Sequence, residues 1–145
     1  MALNKDAIGQ VQDLINNDQV FNIRQRCTTA EVNAGITLLP AVMGKKYRVT
    51  DMALISIGGA ASGATSVDVK ATQAGVAVNL LAAAVAGLTQ NTLLRAGAAN
   101  AAIIAAGASF VANDANTAIT VGKTGGSLAT STHIDVFVSY TVEKY

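Results

Sequence analysis

The run HIDVFVSYTVE, residues 133–143, decides the fold. Ile134, Val136, Val138, Tyr140 and Val142 alternate with His133, Asp135, Phe137, Ser139, Thr141 and Glu143. Successive side chains of a strand point to opposite faces. A period of two held this long therefore predicts a strand with one apolar face and one mostly polar face. The run TSVDVKA (65–71) repeats the pattern, with Val67 and Val69 on the inner face. Residues 46–57 read as a longer strand ending at Gly58-Gly59, and Ile119 and Val121 share one face of another over 117–121. Pro40 separates the run 36–39 from the next strand, which fits a strand end or an edge.

Glycine punctuates the chain from residue 28 onward, at 35, 44, 58–59, 63, 75, 87, 97, 107, 122 and 125–126. The middle is rich in alanine, the best helix former, but glycines this close together would interrupt each helix at about 1 kcal/mol apiece. Short apolar runs between such stops imply an all-β sandwich or barrel. Eight or nine strands are expected, the number of a jelly roll. The fold class is thus all-β, a jelly-roll-like antiparallel β-sandwich. The strands between Val76 and Phe110 lack clean alternation, as expected where both faces are covered.

Residues 1–31 differ: they hold Lys5, Asp6, Asp13, Asp18, Arg24, Arg26 and Glu31 among many Asn and Gln. Asn4 is placed to cap a short helix carrying Ile8, Val11 and Ile15 on one stripe, with Asn16-Asn17 at its end. Two or three turns with so little apolar surface need a partner. That partner is either the chain's own domain or another protein. The expected division is an arm over 1–28 and a β-sandwich domain over 29–145.

Composition closes off other classes. The chain has 145 residues, 51% apolar, 4% aromatic and 13% charged, with a net charge of +1. One cysteine makes no internal disulfide, and the apolar content excludes a disordered chain. The charge balance gives no global pull toward nucleic acid or anionic lipid. The longest apolar runs, Val76 to Leu88 and Ala101 to Ala112, fall short of the roughly 20 residues of a spanning helix. No signal-peptide pattern opens the sequence, so a soluble protein of a reducing compartment is expected.

Catalytic signals are weak. His133, the one histidine, and Asp135 would share a strand face, with Ser131 and Ser139 nearby, but no nucleophile elbow accompanies them. Cys27 reads as a buried or incidental thiol despite Arg24 and Arg26 beside it. One Cys and one His do not supply a zinc site. Gly122-Lys123-Thr124 resembles the end of a phosphate loop, but Thr117 stands where the first glycine is required. Gly58 to Gly63 precedes a strand rather than a helix. Both glycine clusters read as hairpin turns. Lys45, Lys46 and Arg48 beside Tyr47 read as a solvated loop. No enzyme, cofactor, metal or nucleic-acid partner is expected.

The informative feature is an absence of charge. Between Lys70 and Asp114 the one charged residue is Arg95. Apolar surface on that scale marks either an interface or a core covered on both sides. Leu80, Leu81, Leu88, Leu93, Leu94, Ile103, Ile104 and Phe110 are the candidate subunit-interface residues.

The stretches NAGITLLPAVMGKKYRVTD (33–51), GGAASGATSVD (58–68) and IDVFVSYTV (134–142) together give residues 30–143 a layout that resembles the jelly-roll head decoration (cement) proteins of tailed bacteriophages. The resemblance implies a homotrimer on the capsid exterior, made in the host bacterial cytoplasm, that holds capsomers together through the major capsid protein. It implies no catalytic residues. Under it the arm is the capsid clamp, with Ile8, Val11, Ile15, Val20, Phe21, Ile23, Arg24 and Arg26 as contact candidates, and the uncharged middle is the trimer seam. The alternatives are a tail or fibre protein that binds a receptor, and a small β-barrel ligand-binding module.

Overall fold

The computed structural model describes residues 19–103 and 111–144, with backbone alone for 101–103. In chain order the elements are β1 (Phe21–Thr28), α1 (Thr29–Ala34), β2 (Ile36–Leu39), β3 (Lys45–Ile57), β4 (Ser62–Gln73), β5 (Val76–Ala84), a 3-10 turn (Val85–Gly87), β6 (Leu93–Arg95), β7 (Ala101–Ile103), β8 (Ile119–Ala129) and β9 (His133–Lys144). The strands pair as a long ribbon folded on itself: β1 with β9, β2 with β8, β3 with β6, β4 with β5. The ribbon rolls up where β9 also takes β3 and β8 also takes β4. Two antiparallel sheets result, ordered β1-β9-β3-β6 and β2-β8-β4-β5-β7. This is jelly-roll order, with β7 added at the outer edge of the second sheet.

Alternation decides which residues fill the space between the sheets. Ile134, Val136 and Val138 of β9 are buried, as are Val67 and Val69 of β4 and Ile119 and Val121 of β8. Met52 and Leu54 of β3 join them, with Leu80 and Leu81 of β5 and Leu88. Each fully buried side chain of this size contributes about 1.5–3 kcal/mol against exposure. Leu80 and Leu81 are neighbours in sequence yet both are buried, because the β4–β5 register shifts between Val69 and Lys70 and leaves Leu80 as the extra residue of a bulge. Among the described residues no helix is long and apolar enough to cross a membrane.

Two expectations change. Residues 21–28 lie within the body rather than in an arm. Strand β1 pairs with β9 over eight consecutive positions, Phe21 opposite Tyr140 through Thr28 opposite His133. Backbone pairing with a long neighbour holds this edge strand, although Gln25 and Cys27 on its inner side blur the apolar alternation. Cys27 is fully buried in the core. The cluster Gly122 to Gly126 is part of β8 rather than a hairpin turn. There the β4–β8 register slips twice, and Gly125 takes φ of +85°. A Cβ on Gly126 would come 2.6 Å from the Gly63 carbonyl oxygen. Glycine is required by close strand approach at a bulge. Gly58-Gly59 is a connection as expected, but it carries the chain from one sheet to the other.

Between β1 and β2 the helix α1 is fixed at its start by a capping box. The Thr28 hydroxyl accepts from the Glu31 N–H, and the Glu31 carboxylate accepts from the Thr28 N–H at 2.6 Å. That hydrogen bond also holds the Glu31 carboxyl below its usual range. The helix expected over residues 4–17 lies outside the described residues.

Candidate functional site

The outer face of the β1-β9-β3-β6 sheet gathers most of the chemistry. Register places Arg24, Phe137, Ala53 and Arg95 in one row across four strands. Arg26, Asp135, Ile55 and Leu93 form the next row. The first row has an apolar centre, Phe137 and Ala53, between two edge arginines; in the second, Asp135 and Ile55 lie between Arg26 and Leu93.

Asp135 is the anchor. It points to the outer face, yet its side chain is fully buried beneath Arg24 and Arg26. Arg26 donates from Nε to Oδ1 at 2.7 Å and from Nη2 to Oδ2 at 2.9 Å. Arg24 donates to Oδ2 from Nε at 3.2 Å and from Nη2. The hydrogen bonds from Arg26 outweigh burial, with Arg24 adding to them, and hold the Asp135 carboxyl at about 2. A carboxylate has two oxygens and a guanidinium five donors, so both arginines keep donors for solvent or a partner. Their side chains are about half exposed. Arg24 also lies over the Phe137 ring, Cζ 5.2 Å from its centroid. At the far edge Arg95 donates to Asp51 at 2.6 Å. Three arginines against two aspartates leave this area one positive charge.

A second feature is an apolar groove at the strand end where β1 begins. Phe21, Val42, Lys45, Tyr47, Tyr140 and Val142 line about 270 Å³. Phe21 stacks on Tyr140 with ring centroids 5.6 Å apart, and Tyr47 meets Tyr140 edge-on at the same separation. Half of the chain's six aromatics converge here. Buried Asn113 secures the wall: it accepts from the Tyr47 N–H at 2.5 Å and donates to Thr117.

The residues read from sequence fall as follows. Ile23 packs against the core from β1, Phe21 lines the groove and Val20 is exposed beside it. Ile8, Val11 and Ile15 lie outside the described residues. Leu80, Leu81, Leu88 and Leu94 are spent inside the chain's own core, so the covering expected from a second copy is supplied by the opposite sheet. Leu93 is half exposed on the outer face. Ile103 lies on the edge strand β7; Ile104 and Phe110 lie outside the described residues. Lys46 and Arg48 lie in β3, in keeping with the strand expected over 46–57 and not with a loop, and Lys45 is its first residue; Arg48 donates to Glu143 at 2.6 Å. His133 and Asp135 share a face, but both Asp135 oxygens are taken by arginines and the histidine's Nδ1 meets the Thr132 hydroxyl at 3.0 Å. Ser139 donates to Asn22. These groups do not assemble a triad.

The Arg–Asp–Arg grouping is invisible in the sequence as long as residues 21–28 read as an arm, since it forms only where β1 pairs with β9. Its signal is the spacing of Arg24 and Arg26, which on a strand puts both on one face. Compared with known proteins, the chain matches no protein-family model and no curated sequence.

Proposed function

We propose that this chain is a structural binding protein of a virion, a decoration protein seated as a homotrimer on the outside of a bacteriophage head, where it bridges capsomers through the major capsid protein. The observation that carries the reading is the outer face of the β1-β9-β3-β6 sheet. Phe137, Ala53 and Ile55 give it an apolar centre and Leu93 an apolar edge, with Arg24, Arg26 and Arg95 on the rim. Protein interfaces share this anatomy, with arginine and aromatics enriched and a polar border. The resemblance of residues 30–143 to cement proteins directs that face to a capsid. Action by binding alone suits such a role: three linked copies multiply weak contacts through effective concentration.

The test is reconstitution. Purified protein is added to isolated heads from which it has been stripped, and occupancy is read by electron microscopy and co-sedimentation. Trimers on the shell exterior, with occupancy reduced at least tenfold by the Arg24→Ala/Arg26→Ala double variant, are expected. A folded protein that leaves the shells bare at micromolar concentration overturns the reading.

A further inference from the structure

The aromatic groove has its origin in strand register. Phe21, the first residue of β1, lies opposite Tyr140, and β9 runs on to Lys144 with no described strand beside it on that side. On its other side β9 stays paired, Tyr47 opposite Val142 and Lys45 opposite Lys144. Alternation puts Lys45, Tyr47, Tyr140 and Val142 on the inward face of their sheet. Where β1 stops, that face loses part of its cover. Tyr140 and Val142 pack against the core without being fully buried, and about 270 Å³ stays open between them, Phe21 and Val42.

Size and surroundings limit what fits. A benzene-sized guest occupies a cavity of about 150 Å³, so the groove takes one aromatic side chain. Rings meet offset-stacked or edge-on, and the Phe21–Tyr140 stack beside the edge-on Tyr47 presents ring faces and ring edges together. The apolar surface continues past the groove. Val42 lines it, Met43 follows at 90% exposure, and exposed Val20 precedes Phe21. A polypeptide covers such an apron, whereas a free small molecule leaves it in water.

The rim carries a cation. Among the described residues no acid pairs with the Lys45 ammonium. Glu143 accepts from Arg48 on the other face of the sheet, and Asp114 spends its two oxygens on the N–H groups of Ala74 and Gly75. The Lys45 backbone is held in place: its N–H donates to the Val42 carbonyl at 3.2 Å and its carbonyl accepts from the Asn116 N–H at 3.1 Å. An apolar slot with one fixed, unpaired cation at its edge complements an apolar side chain with a carboxylate beside it.

We infer that the groove is a docking site for a segment of a partner protein that presents one aromatic side chain next to an acidic residue, the ring against Phe21, Tyr47 and Tyr140 and the carboxylate on Lys45. The site lies at the end of the sheet's inward face, whereas Arg24 and Arg26 stand on its outer face. It is therefore a second binding surface, and it holds whether or not the outer face meets a capsid.

The test uses full-length protein and an acetylated, amidated pentapeptide with one tryptophan between two aspartates. The chain has no tryptophan, so indole emission reports the peptide alone. Saturable binding is expected, with NMR shifts at the rings of Phe21, Tyr47 and Tyr140. Lys45→Glu and Val42→Asp, with the fold checked by circular dichroism, are each expected to weaken binding about tenfold. The same peptide with lysines for aspartates is expected to bind the parent severalfold more weakly. Arg24→Ala/Arg95→Ala, which leaves Arg26 on Asp135, is expected to bind as the parent does. Loss of binding in that double variant would place the peptide on the outer face and overturn the inference, as would equal affinity for the lysine peptide. Indole-3-acetate bound as tightly as the peptide would make the occupant a small anion and overturn the polypeptide. No binding at millimolar peptide, as when another segment of the chain holds the groove, overturns it too.

Discussion

Arg26 lies directly opposite Asp135 in the β1–β9 ladder and closes on its carboxylate with two hydrogen bonds, at 2.7 and 2.9 Å. Arg24, two residues earlier on the same strand face, reaches the same carboxylate. The two arginines thus fasten an edge strand to its neighbour and stand side by side at the surface.

This pair makes folding sensitive to acid. Asp135 titrates at about 2 in the folded chain against an ordinary 3.8, so the folded state favours its ionised form. A depressed carboxylate contributes stability that is whole above about pH 4 and is lost as the pH falls toward 2. Denaturant midpoints measured between pH 2 and pH 5 are expected to fall with acid. Asp135→Asn is expected to be less stable at neutral pH, with a flatter slope through that window. Equal slopes in both proteins would show that the carboxylate is not the titrating group.

Arg26→Lys separates charge from geometry. Lysine keeps the positive charge but lacks the fork that grips both oxygens. The Asp135 carboxyl, followed by NMR, is expected to titrate above 2 in this variant and nearer its ordinary value in Arg26→Ala. No movement in either variant would assign the depression to Arg24 alone.

Cys27 is fully buried, and burial pushes its thiol up to about 11. The thiolate is the reactive form, so native protein at pH 7–8 is expected to resist a thiol-specific chromogenic reagent for hours. Full reaction is expected within minutes in denaturant. Rapid labelling of native protein would mean that β1 detaches readily.

Leu81→Ala and Leu93→Ala separate core from surface. Leu81 is fully buried, so its truncation is expected to cost about 2–5 kcal/mol at any protein concentration. Leu93 is half exposed, and its truncation is expected to stay within about 0.5 kcal/mol in the isolated chain; under the proposed role it is also expected to weaken shell binding. Chemical denaturation with co-sedimentation reads both.

Two glycines of β8 make a matched pair. Gly126→Ala brings a Cβ against the Gly63 carbonyl oxygen and is expected to cost about 1–3 kcal/mol. Gly122→Ala meets nothing within 4 Å and is expected to be tolerated. Equal stabilities for the two variants would remove the steric argument for glycine at the bulge.

Some of this was legible in the residues and some was not. The alternation of β9, β4 and β8 is a local property, because backbone pleating sends side chains to opposite faces whatever the strand pairs with. The inner faces of Ile134 to Val138, Val67 to Val69 and Ile119 to Val121 were therefore readable in advance, and with them the all-β class. The candidate site was much less legible. Asp135 on the polar face of β9 reads as solvated until the partner strand is known, since what buries it are two side chains more than a hundred residues away in sequence.

By itself the sequence determined that the chain is a β-sandwich, where its best strands run, and which of their faces turn inward. Tertiary structure alone decided that residues 21–28 pair with the last strand and that Gly122 to Gly126 continue a strand through a bulge. It also decided that Leu80, Leu81, Leu88 and Leu94 of the charge-poor stretch are buried in the molecule's own core while Leu93 is half exposed. The physical reason is one of range. Periodicity is written into neighbouring residues, whereas the pairing of an edge strand, the space beside a glycine and the burial of a charge are set by chain segments far apart in sequence.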